Sequence, residues 1–104
     1  MFNKLFNKKS DYKFQEPENT SCFVCSHILD RERPILYVSH DKDDSSWQFL
    51  CGHNDHTEDN IRIIGLGQAT EIDNSVNDLY EMPKGICAER DNVGDKWTPY
   101  KMEE

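Results

Sequence analysis

The residues best suited to chemistry in this chain are its four cysteines and four histidines, most of which fall into two short stretches. Cys22-x-x-Cys25 with His27 forms one; Cys51, His53 and His56 form the other. Thiolates and imidazoles are the donors a tetrahedral zinc ion takes, commonly from two ligand pairs. One reading therefore sets Cys22 and Cys25 against Cys51 and His53 or His56. Strand geometry argues the other way. Residues three apart in a strand point to opposite faces, so Cys22 and Cys25 share an ion only if the backbone turns there. Phe23 and Val24 are strand formers, and no glycine follows Cys25 to help such a turn. Cys51 alternates with Trp47 and Phe49, where a free cysteine is an ordinary small buried hydrophobe. Cys87 has no partner nearby in sequence. The pattern predicts structural cysteines with no metal and no cofactor, and a small zinc-binding module as the alternative.

Other chemistries find less support. Thioredoxin-like exchange needs its cysteine pair at a helix N-terminus, where the dipole lowers the thiol pKa, whereas Cys22 and Cys25 read as strand residues. The loop His53-Asn54-Asp55-His56 with Glu58 and Asp59 holds groups for a general base or a metal, but polar loops of this kind are usually solvated surface. No serine or cysteine sits in a nucleophile elbow, and Gly65-Leu66-Gly67 lacks the Lys and Ser/Thr of a phosphate-binding loop. These absences favour a non-catalytic protein, with an enzyme centred on residues 53–59 as a third reading.

The elements that must hold these residues read mostly as strands. Residues 21–29 (SCFVCSHIL) form the first, with an irregularity near Ser26; residues 35–39 and 47–51 (WQFLC) follow across charged turns. Two successive hairpins predict an antiparallel meander. A fourth strand begins at residues 61–64, where Gly65 and Gly67 suggest a bulge or a close backbone approach before residues 68–72 continue it. Asp73 is a natural N-cap for a short helix carrying Val76, Leu79 and Tyr80, which Pro83 ends. Residues 86–90 and 97–100 supply a fifth and a sixth strand. The fold class is α+β, a mostly antiparallel five- or six-stranded sheet with one short helix. Trp47 and Phe49 should face its core. Residues 1–19 read as a basic tail and lead-in and residues 20–104 as one α+β domain. The tail is expected to be a short amphipathic helix or a frayed terminus.

Composition narrows the partners. The 104 residues carry a net charge of −8, but residues 1–13 contribute +3 and the remainder −11. A body that acidic repels nucleic-acid phosphates and suits a basic protein partner, whose approach it would steer. No apolar run approaches the roughly 18 residues of a membrane span. The first residues do not read as a signal peptide, so a cytoplasmic protein with reduced thiols is expected.

Four stretches together resemble a known group: CFVCSHIL at 22–29, WQFLCG at 47–52, IGLG at 64–67 and GICAERDNVGDKW at 85–97. They are similar to a small bacterial family grouped with the immunity proteins of polymorphic toxin systems, and the likeness spans about residues 20–98. The resemblance implies a protein that masks a toxin and brings no catalytic residue with it. Combined with the charge, it nominates two acidic connections as partner-binding: Asp41, Asp43 and Asp44 in one turn, and Asp55, Glu58 and Asp59 in the loop after the next strand. The longer loop is the favoured one.

Overall fold

Alternation along Trp47–Leu50 sets the plan of the molecule, since Trp47 and Phe49 are buried while Gln48 and Leu50 are half-buried. The computed structural model describes residues 12–102. The segment up to Asp11, which holds most of the predicted N-terminal tail, lies outside them. The elements are β1 (Ser21–Cys25), α1 (Ser26–Leu29), β2 (Tyr37–His40), β3 (Trp47–Leu50), a 3-10 turn at Glu58–Asn60, β4 (Ile61–Gly65), α2 (Leu66–Ile72), a second 3-10 helix at Asn74–Leu79, β5 (Ile86–Glu89) and β6 (Thr98–Lys101).

The strands form one six-stranded sheet in the order β4-β1-β3-β2-β5-β6. All neighbours are antiparallel except β1 and β3, which run parallel. The α+β class with a mostly antiparallel sheet is therefore what the chain adopts. The simple meander is not. β2 and β3 make the predicted hairpin, but β3 folds back between β2 and β1 instead of leaving β1 beside β2. The reason lies at Cys25, where the chain turns into α1, and residues 30–36 then carry it past β3's position.

The register defines two faces. Val24, Phe49, Val38 and Ala88 stand in one row across four strands and have no exposed surface. Leu66 and Ala69 of α2, Val76 and Leu79 of the second 3-10 helix, and Phe14 of the lead-in join them in a single core. Trp47 is 2% exposed, edge-on to Phe14 at 4.8 Å and stacked on His40 at 3.9 Å. Its indole N–H donates to Glu16 at 2.9 Å, which satisfies the one polar atom it buries.

On the opposite side of the pleat a second row runs Ile63–Phe23–Gln48–Ser39–Cys87–Tyr100, through all six strands. Ile63 is 67% and Tyr100 43% exposed, and neither they nor Phe23 belong to the core. Among the described residues no helix is long and apolar enough to cross a membrane.

Candidate functional site

Cys25 ends β1, and Cys51 follows directly on β3; because those strands are parallel neighbours, both thiols arrive at the same end of the sheet. Two imidazoles meet them there. The turn into α1 brings back His27, and the loop after β3 brings His56. The four donor atoms of Cys25, His27, Cys51 and His56 all lie within 4.8 Å of one another. Cys51 Sγ stands 3.3 Å from His56 Nε2 and 4.0 Å from His27 Nδ1, and the two rings are 5.2 Å apart. Both sulfurs are buried and both imidazoles are half-buried, so the cluster has a closed floor and an open rim. Burial pushes the Cys25 thiol pKa up, as expected for a group whose charged form would be desolvated.

The surroundings fix this arrangement. Glu32 and Arg33 donate their backbone N–H groups to the carbonyl of His27, at 2.9 and 3.3 Å. Arg33 then reaches over the cluster, donating to Cys51 Sγ at 3.5 Å and to both carboxylate oxygens of Asp55 at 3.0 Å. That fork holds the Asp55 carboxyl down at a pKa of about 2. Thr57 and Asn60 cap the 3-10 turn reciprocally, and Asn60 Nδ2 donates to Ser26 Oγ at 3.4 Å, fastening the loop to α1. Gly52 takes φ +84° at the start of this loop, a conformation that side chains rarely accept.

Of the sequence candidates, Cys25, Cys51 and His56 come together, while Cys22 and His53 stay outside. Cys22 sits in the core, where burial raises its pKa to about 12, and the strand alternation that argued against pairing it with Cys25 does hold. His53 is exposed. The missing fourth donor is His27. A Cys-x-His step is not a familiar ligand spacing, and the turn that makes it useful carries no glycine to announce it.

The acidic residues divide between the two ends of β3. Asp41 and Asp44 spend their carboxylates on the β2–β3 turn: Asp41 Oδ1 accepts from the N–H of Asp43 at 2.7 Å, and Asp44 Oδ1 from that of Ser46 at 3.0 Å. Asp43 is exposed beside them. At the other end Asp55 is held by Arg33, whereas Glu58 and Asp59 are exposed at the entrance to β4. A groove of about 520 Å³ beside the β2–β3 turn mixes Asp41, Asp43, Lys42, Lys84 and Lys101 with no convergent set of reactive groups. Sequence reasoning did not find the row bearing Phe23, Ile63 and Tyr100, half-buried at Phe23 and exposed at Ile63 and Tyr100, because it appears only once the register is fixed.

No curated protein and no solved structure matches the chain. The immunity protein Imm33 domain does match, over residues 22–101, which takes in β1 through β6 and both ends of the Cys/His cluster. A match over most of its length means that the chain belongs to the Imm33 immunity protein domain family.

Proposed function

We propose that this chain is an immunity protein that binds a basic protein toxin in the cytosol and covers its working surface, with no reaction of its own. The observation that carries the reading beyond the family is the second sheet face, whose row is exposed at its two ends, Ile63 and Tyr100, although Ser39 and Cys87 in its middle are buried. A single-layer sheet normally buries one side and solvates the other with polar side chains. Here the second side presents Ile63, Phe23 and Tyr100 in one row, with Ile63 67% exposed. Aromatic and aliphatic anchors within a polar surround are the residues that dominate protein interfaces. Glu58 and Asp59 stand at the start of β4, the strand that carries Ile63, so an apolar anchor and an acidic rim adjoin. The rim favours approach of a basic partner, and the anchor keeps it.

The test is binding to a candidate basic toxin encoded near this chain's gene, with growth rescue on co-expression. Wild-type protein should bind and rescue. Ile63→Lys changes a side chain already in solvent, so the protein should fold normally yet bind at least tenfold more weakly. Absence of binding by the wild-type chain would overturn the masking role. Full-strength binding by Ile63→Lys would move the interface off this face.

A further inference from the structure

We propose that Cys25, His27, Cys51 and His56 bind one zinc ion, which pins α1 and the 52–60 loop to the ends of β1 and β3. The inference stands apart from the toxin-masking role, because it concerns how the chain is held together.

Size is the first argument. With Zn–S near 2.3 Å and Zn–N near 2.0–2.1 Å, a tetrahedral S2N2 site has donor–donor edges of about 3.3–3.8 Å. The Cys51–His56 edge is 3.3 Å, the Cys51–His27 edge is 4.0 Å, and no edge of the set exceeds 4.8 Å. Closing onto an ion needs side-chain movements of about 1 Å. Two thiols and two imidazoles that merely shared a core would not be expected to converge from four separate chain positions onto one such volume.

Donor chemistry is the second. Two thiolates and two neutral imidazoles make the borderline-soft tetrahedral set that suits zinc, and they balance its charge to zero. Hard cations want oxygens, and the one iron–sulfur cluster that takes two cysteines and two histidines binds each pair on a different iron, whereas here a thiol and an imidazole, Cys51 Sγ and His56 Nε2, share an edge of 3.3 Å. All four positions are protein ligands, which is the pattern of a structural site and not of one that leaves a place for substrate.

The third is the surrounding shell. A metal-bound thiolate keeps lone pairs that accept hydrogen bonds, and Arg33 already donates to Cys51 Sγ at 3.5 Å while Asp55 orients its guanidinium. The Asn60–Ser26 bond ties the loop bearing His56 to the helix bearing His27. The loop between Gly52 and Asn60 otherwise has little apolar anchorage, since none of its residues is buried. An ion at its base would supply it.

The experiment uses the full chain, prepared reduced and metal-free, titrated anaerobically with Co(II) and then Zn(II). One equivalent of cobalt should give the intense visible bands of a tetrahedral site together with a thiolate-to-cobalt charge-transfer band, and zinc should displace it. Zinc at a hundredfold excess over its Kd should raise the melting midpoint by on the order of 10 °C. His56→Ala lies in a half-exposed loop and should still fold, but should lose the tetrahedral spectrum; His53→Ala should keep it. The proposal fails if the folded, reduced wild-type chain shows no stoichiometric tetrahedral site. It fails equally if His56→Ala retains the spectrum, or if peptide mapping of the chain as purified, before any reduction, finds a Cys25–Cys51 disulfide where the ion should be.

Discussion

Arg90 is the charged side chain most deeply committed to the core, and it shows how much one residue can organise. Its Nε and Nη2 donate to the carbonyl of Ile35 at 3.2 and 2.9 Å, Nη1 donates to Ser75 Oγ at 2.9 Å, and Nη2 also meets Asp73 Oδ2. The guanidinium carbon sits 4.1 Å from the centre of the Trp97 ring. Asp73 is simultaneously the cap of the second 3-10 helix, accepting from Ser75 N–H at 2.9 Å. One guanidinium thus joins β5, the lead-in to β2, the 3-10 helix and the approach to β6. Removing one partner of a buried pair leaves the other charge stranded, so Arg90→Leu should cost about 3–5 kcal/mol of unfolding free energy in denaturant titration. Arg90→Lys should recover little of it, because a single ammonium cannot span the fork or stack on the indole. A loss below about 1 kcal/mol for Arg90→Leu would show that solvent or repacking replaces the clamp. Sequence reasoning placed Arg90 at the end of a strand and Asp73 at a cap; their pairing was illegible because it joins residues that only the fold makes neighbours.

At the scale of elements, the two glycines near the end of β4 explain both a success and a failure of sequence reasoning. A close backbone approach at Gly65 and Gly67 was one of the two expectations there, and it is what occurs. The N–H of Gly67 donates to Glu18 O at 2.9 Å and that of Leu66 to Thr20 O at 2.8 Å, so the lead-in segment satisfies donors that the first turn of α2 would otherwise leave bare. A Cβ on Gly67 would lie 2.8 Å from Glu18 Cβ. The expected strand over residues 68–72, however, is helix: Leu66, Ala69 and Thr70 are buried at a spacing that a seven-residue helix with a glycine at its second position is too short to advertise. The parallel placement of β1 against β3 was hidden for a related reason: an irregularity near Ser26 was legible, but not that it is the helical turn α1 that takes the place of the expected hairpin. What was legible was everything governed by strict alternation and tight turns: the β2–β3 hairpin, the buried Trp47 and Phe49, and the β5–β6 pair. The glycine contact gives a direct test. Gly67→Ala should destabilise by about 1–3 kcal/mol through overpacking against Glu18. Combining it with Glu18→Gly should return most of that loss, and a strictly additive double mutant would mean that Glu18 is not the obstacle.

For the whole molecule the governing quantity is charge and where it sits. The chain carries −8 overall, and outside residues 1–13 the excess is −11. A field of that sign draws in a basic partner from any direction, but at 0.15 M salt it fades over a Debye length of about 8 Å, so only charges beside the contact shape the final approach. Position, not the total, should therefore decide the association rate. Glu58 and Asp59 lie in the turn that leads into β4, the strand of Ile63, while Asp55 is already neutralised locally by its two bonds to Arg33. Asp43, in the β2–β3 turn, and Glu81, beside the Met82 carbonyl that pairs with His40, are exposed acids at the other end of the sheet. Two double variants with identical net charge separate position from total: Glu58→Gln with Asp59→Asn, and Asp43→Asn with Glu81→Gln. In stopped-flow association with a candidate basic toxin, the first should slow binding by about three- to tenfold at low salt and flatten its salt dependence. The second should leave both nearly unchanged. Equal effects from the two pairs would mean that net charge alone steers the encounter, and a larger effect from the second would put the interface at the β2–β3 turn.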